Sequence, residues 1–284
     1  EAGDLLIEEN KGKANIYYKK SERSVKSSTS KERIKNKILF CNGKEIKTLE
    51  YFIENENDRF IDLCTQSLSL KKMANSDEMF IHKYFIKLFE KRNTKGVSAL
   101  LKISKNQFLF STALFWASQE GDTDILVEAI NTGVDINVKD SEGRTALIIA
   151  AAIGNEKIVE ELLRRKAHLD IQDNTRNTAL IWSLQEGNIE IAKRLINAGS
   201  DLNIQNRNRD TVLMLAVKKG YLEIIKDLIA KGVNLNKINI DGNTALIIAS
   251  QEGNIEVAKH LIESGAKIEI KDNNKDTALS RAVI

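Results

Sequence analysis

His82, His168 and His260 are the only imidazoles in this chain of 284 residues, and Cys41 and Cys64 are its only thiols. General-base, nucleophilic and metal chemistry draw on such groups and need them at set spacings. Here the three histidines are scattered, and the two cysteines match no metal-binding pattern, so ordinary reduced thiols are expected rather than a disulfide. No glycine-rich phosphate loop and no strained nucleophile turn occurs. Carboxylates are plentiful. The most regular of them, Glu120, Glu186 and Glu252, stand at matching positions beside Gln119, Gln185 and Gln251, which fits a duplicated unit better than an acid–base pair. These residues therefore predict no enzyme and no cofactor, and the chemistry left to the chain is that of a recognition surface.

Charge narrows the partner. The net charge is only +3, but residues 11–37 carry ten Lys or Arg against two Glu. Basicity is thus local to one N-terminal stretch, with Tyr17 and Tyr18 beside it. Such a stretch can grip nucleic acid or an anionic surface, yet its serine- and lysine-rich composition also describes a linker, and linker is the expectation. No apolar run reaches the length of a membrane-spanning helix. A hydrophobic share of 42% with 29% charged residues suits a globular chain with a buried core.

The elements that must position any surface are set by a period. Thr112, Thr145, Thr178, Thr211, Thr244 and Thr277 recur every 33 residues, and Gly121, Gly154, Gly187, Gly220 and Gly253 each follow nine residues after a threonine. A unit of this length cannot bury its apolar face alone, so neighbours must stack. In one unit, Asp140-Ser-Glu-Gly143 is turn chemistry, with a side chain able to bond the backbone ahead. Thr145 is placed to cap a helix over the apolar run Ala146–Ala152. Gly154 breaks that helix, and Ile158, Val159, Leu162 and Leu163 give a second, amphipathic one. The chain then needs a left-handed residue to turn back. Gly133, Gly199, Gly232 and Gly265 serve elsewhere, whereas this unit has Lys166, where the same conformation costs a non-glycine residue about 1–2 kcal/mol.

Asp-x-x-Gly-x-Thr-Ala-Leu, then Ala-Ala-x-x-Gly-Asn, then Ile-Val-x-x-Leu-Leu resembles the ankyrin repeat over Gln107–Ile284, as five full repeats and the first half of a sixth. The resemblance implies a mainly α ankyrin-repeat solenoid of helix-turn-helix units joined by turn loops. Where the family has Thr-Pro-Leu-His, this chain has Thr145-Ala-Leu-Ile148 and its equivalents, so apolar packing is expected at the former histidine. Trp116 and Trp182 fall on the inner helix at the position of Ile149, Leu215 and Ile248, and core packing is expected of them too. Three regions follow: a basic lead with a possible hairpin at 1–37, a helical cap region at 38–104 that is α or α+β, and the repeats at 105–284. A helix from Ser76 and its partner over 97–103 would cover the first repeat. The sixth repeat is expected to continue beyond Ile284.

The resemblance also implies a function: binding of a protein partner, acidic or of mixed charge, against the turn tips and inner helices on the concave face. Carried onto this sequence, the contact candidates are Arg144, Asn177, Glu186, Arg207, Arg209, Lys218, Lys219, Asp241, Asn243 and Glu252. Arg207, Arg209, Lys218 and Lys219 would form a basic spot between Glu186 and Glu252. A monomer is expected, and nucleic acid is not. Two alternatives stand beside this one: a regulatory or targeting subunit attached through its basic lead, and an inhibitor or toxin-neutralising protein.

Overall fold

The computed structural model describes residues 94–103 and 107–282, with Leu88 and Phe89 before them. Cys41, Cys64, His82, the basic lead and most of the expected cap lie outside the described residues. Among those described the regular structure is helical, with no strand: α1 (Thr94–Ile103), α2 (Gln107–Glu120), α3 (Thr123–Asn131), α4 (Ala146–Ile153), α5 (Glu156–Arg164), α6 (Ala179–Glu186), α7 (Ile189–Asn197), α8 (Val212–Lys219), α9 (Leu222–Ala230), α10 (Ala245–Gln251), α11 (Ile255–Glu263) and α12 (Ala278–Arg281). They fall into two compact units. The described part of one ends at Ala113 and takes in Val127–Val134, and the other holds Leu114–Leu126 and everything from Asp135 onward.

In the larger unit, helices alternate between an inner and an outer layer. The inner helices are short and, apart from their last turn, apolar on nearly every side, so they are stable only when covered on both sides. Ala146–Ala151 of α4 are all buried, as are Val212–Val217 of α8. The outer helices bury one stripe, as Ile158, Val159 and Leu162 do in α5, with Leu163 half-buried at its edge. Each inner helix from α4 onward starts at the recurring threonine, whose Oγ1 accepts the N–H three residues ahead at 3.2–3.4 Å. A cap of this kind stabilises by about 1 kcal/mol.

The first unit of the period departs from this pattern. Thr112 lies inside α2 and bonds back to the Phe108 carbonyl at 2.8 Å instead of capping. The sequence before it, Gln107-Phe-Leu-Phe-Ser, lacks the Asp-x-x-Gly turn, so nothing stops the helix from starting earlier. The former histidine position is apolar and closed, with Ile148, Ile181, Met214 and Ile247 at 1% exposure or less.

Lys166 adopts φ 60°, between Gly133 at 89° and Gly199 at 92° in the neighbouring repeats. Its N–H bonds the Leu163 carbonyl at 3.0 Å, so the turn closes as a glycine turn does. Relief of the left-handed strain exceeds the extra chain freedom that glycine brings to the unfolded state. Lys166→Gly is therefore expected to stabilise by about 0.5–1 kcal/mol, which a thermal melt would register as a rise of roughly 2 °C. A lowered midpoint would show that the lysine side chain contributes more than its backbone costs.

Candidate protein-binding surface

The surface is built on one residue per repeat. Asp140, Asp173, Asn206, Asn239 and Asp272 each open a turn tip, and each uses Oδ1 to accept the N–H groups two and four residues ahead at 2.8–3.0 Å. The tips are then tied to one another. The N–H of Asn174 donates to the Glu142 carbonyl at 2.9 Å, and the same bond recurs from Arg207 to Thr175, Ile240 to Asn208 and Asn273 to Asp241 at 3.0–3.1 Å. With the backbone spent inward and sideways, the side chains at the tips are the part left for solvent or a partner.

The aspartate tips need a second answer, because a buried carboxylate has more acceptor capacity than two N–H groups fill. Asp140 Oδ2 takes Arg144 Nε at 2.9 Å. Asp173 Oδ2 takes the indole N–H of Trp182 at 2.7 Å. Asp272 Oδ2 takes Arg281 through Nε at 2.9 Å and Nη2 at 2.6 Å. Trp182 and Arg281 occupy the same repeat position, nine residues after their tip. Where the tip is Asn206 or Asn239, that position is the apolar Leu215 or Ile248. The pairing was open to a sequence reading that compared tip and inner helix across repeats. It also corrects the core placement of the tryptophans: Trp116 and Trp182 are half-buried, while Ile149, Leu215 and Ile248 are at 7% exposure or less.

The expected contact residues separate into two groups. Glu186, Arg207, Arg209, Lys219, Asp241 and Glu252 are exposed, and their side chains have no hydrogen-bond or ion-pair partner among the described residues. Of the others, Arg144, Asn177 and Lys218 are already engaged. Arg144 is held by Asp140 and, at 3.1 Å, by Glu142. Asn177 is buried, donating to Thr175 Oγ1 at 3.0 Å, so it offers a partner almost no surface. Asn243 is half-buried. Lys218 is exposed, but its Nζ lies 2.8 Å from Asp210 Oδ2, a carboxylate with 5% of its side chain exposed.

The basic spot expected at the fourth repeat is therefore divided. Arg207 and Arg209 stand at the tip and Lys219 at the far end of α8, whose eight residues span about 12 Å. Asp210 has claimed the fourth cation, Lys218. Arg209 is held at φ 58°, left-handed like Arg176 and Lys275 at the same place in the third and sixth tips, where the second and fifth carry Gly143 and Gly242.

Other polar groups are structural in their geometry. Burial alone would raise the Asp272 carboxyl, but the Arg281 guanidinium and the N–H groups of Asp276 and Asn274 outweigh it and hold it below the ordinary aspartate range. Glu161 is likewise lowered by its hydrogen bonds to Arg164 and Arg165. His168 is exposed in a return loop, where its N–H bonds Asn137 Oδ1 at 2.8 Å, and His260 is half-buried on α11. In the first unit, a cleft of about 420 Å³ lined by Leu101, Lys102, Gln107, Phe110, Glu128, Asn131 and Thr132 has its cation and carboxylate paired at 3.2 Å. Among the described residues no three His, Cys, Asp or Glu are grouped to hold a metal ion, and no helix is long and apolar enough to cross a membrane.

The family description "Ankyrin repeats (3 copies)" matches residues 114–206 and again 185–272, together more than half of the chain. The chain belongs to the ankyrin-repeat family. A solved structure described as the Bd0816 predatory endopeptidase from Bdellovibrio bacteriovorus in complex with immunity protein Bd3460 contains a similar chain. The two chains are 31% identical with a TM-score of 0.55, over 61% of this chain and 91% of that one. The similar chain is the immunity protein. No curated protein matched the sequence.

The Asp272–Arg281 pair yields a prediction with a defined sign. A carboxyl whose folded value lies below its unfolded one, about 3.9, contributes stability in full above that pH and loses it as the pH falls through the lowered value. Arg281→Met is expected to lower the melting temperature at pH 7 and to flatten its decline below about pH 4. Melts of both proteins between neutral and acid pH check this, and parallel curves would show that the pair does not form in solution.

Proposed function

We propose that this chain is a non-catalytic interaction module whose ankyrin repeats hold a protein partner against the face made by the turn tips and inner helices. The observation that carries this reading is the division of labour at that face. A backbone ladder and buried tip residues fix its geometry, while Glu186, Arg207, Arg209, Lys219, Asp241 and Glu252 extend from it without internal partners. Exposed charges on a rigid frame steer a partner and fix its register more than they add affinity. Their mixed signs suit a mixed-charge partner, with acidic groups meeting Arg207, Arg209 and Lys219.

A second reading is favoured by one finding. The similar chain in the endopeptidase complex is an immunity protein bound to an enzyme, which supports the view that this protein too restrains the partner it binds. The reading as a targeting subunit rests on residues 11–37, outside the described residues.

The test is affinity capture from the source organism with the intact chain and with an Arg207→Glu, Arg209→Glu, Lys219→Glu variant. Lys218 is left in place, because removing it would strand Asp210. A protein retained by the first and lost by the second, with both equally folded, is the expected outcome, and equal capture would end the assignment to this face. If the captured protein is a hydrolase, loss of its activity at one equivalent of this chain separates inhibitor from adaptor.

A further inference from the structure

Trp182 and Glu186 lie four residues apart on α6, so they share one face of the helix with Cβ atoms about 5–6 Å apart. The indole N–H is fixed on Asp173 at 2.7 Å, which sets the ring's orientation, and the side chain remains half-buried rather than closed. A ring held in this way offers a flat surface at little entropic cost to a binder.

Glu186 gains no stability from its own helix. It is the last residue of α6, immediately before the left-handed Gly187, where the helix dipole is negative and a carboxylate is disfavoured. It is exposed and has no cationic partner among the described residues. At the same register the first and fifth repeats also carry a carboxylate, Glu120 and Glu252, while the fourth has Lys219, which suits a helix C-terminus, and the second has Ile153, apolar and 52% exposed.

From this juxtaposition we infer that Trp182 and Glu186 form a receptor for an arginine side chain of the protein partner. The inference deepens the reading above and rests on it. A guanidinium is planar and stacks on an indole face, and it pairs in a fork with a carboxylate, so aromatic and acid four residues apart supply both of its needs. The apolar stem of the arginine has Ile153 of the adjacent inner helix to lie against, and α4 packs on α6. Lys219 on the other side repels the cation and confines it to the side of the second repeat.

The test uses the full chain and three short probes, acetyl-Gly-X-Gly-amide with X as arginine, lysine or citrulline. In a Trp116→Phe background the fluorescence reports Trp182 alone. In the unaltered chain the two indole N–H signals in NMR give the same reading should that background fail to fold. The arginine probe is expected to give a saturable change at Trp182, with lysine weaker by about threefold and citrulline by about tenfold. Glu186→Gln is expected to weaken the arginine probe by about fivefold while leaving the melting temperature equal or slightly higher. No saturable response, an equal response to citrulline or lysine, or an unaltered response in Glu186→Gln would overturn the inference. Loss of capture in the Arg207, Arg209 and Lys219 variant together with no arginine response would sink this receptor and leave the proposed function standing.

Discussion

A single oxygen atom per repeat organises the binding face. The Oδ1 of Asp140, Asp173, Asn206, Asn239 or Asp272 gathers two N–H groups that would otherwise be unpaired at the apex of a tight turn. Once it has done so, the backbone of the tip has one conformation, and the next N–H along points sideways at the neighbouring tip. The tip-to-tip bonds, the placement of each capping threonine, and so the direction of each inner helix, all follow from that closure. Loss of the acceptor would leave buried donors unmet at a cost of about 1–3 kcal/mol each, before any effect on stacking.

The choice between aspartate and asparagine at this position shapes the surface around it. An asparagine gives the same Oδ1 with no charge to answer, so the inner helix opposite can carry Leu215 or Ile248. Asn239 then has Nδ2 to spare and donates it to Asp210 at 3.0 Å. An aspartate brings a second oxygen that must be met. Trp182 and Arg281 meet it from the helix, and Arg144 meets it from within the tip. Groups at the face of the inner helices are thus chosen first by what lies beneath them.

The period, the threonine caps, the breaking glycines and the left-handed turn at Lys166 were all legible in the sequence, because each is a local requirement repeated at a fixed interval. The family followed from the same residues. The candidate surface was legible only as positions. Sequence shows that Lys218 and Arg207 are basic. It does not show that Lys218 reaches eight residues back to Asp210, or that an eight-residue helix keeps Lys219 away from the tip. Asn177 looked like a display position because its neighbours are, but its amide packs inward onto Thr175. The start of α2 failed for a plainer reason: Thr112 carries the motif but lacks the turn that gives the motif its meaning.

At the opposite end of the inner helices the repeats are joined less evenly. Asn155 sends its Nδ2 to the Ser118 and Gln119 carbonyls, and Asn188 does the same to Ala151 and Ala152, at 2.8–3.0 Å. This closeness leaves no room for a side chain at Gly154, where a Cβ would stand 2.9 Å from Asn188 Oδ1. One repeat later the residue is Tyr221, which cannot make the forked bond, and Asn254 turns instead to the N–H of Val257 in its own helix. Neighbour coupling in a linear array is set junction by junction. From the third repeat onward the helix ends therefore lack the forked asparagine bonds of the first two junctions, and the tip-to-tip bonds carry a larger share of the hydrogen bonding between repeats there.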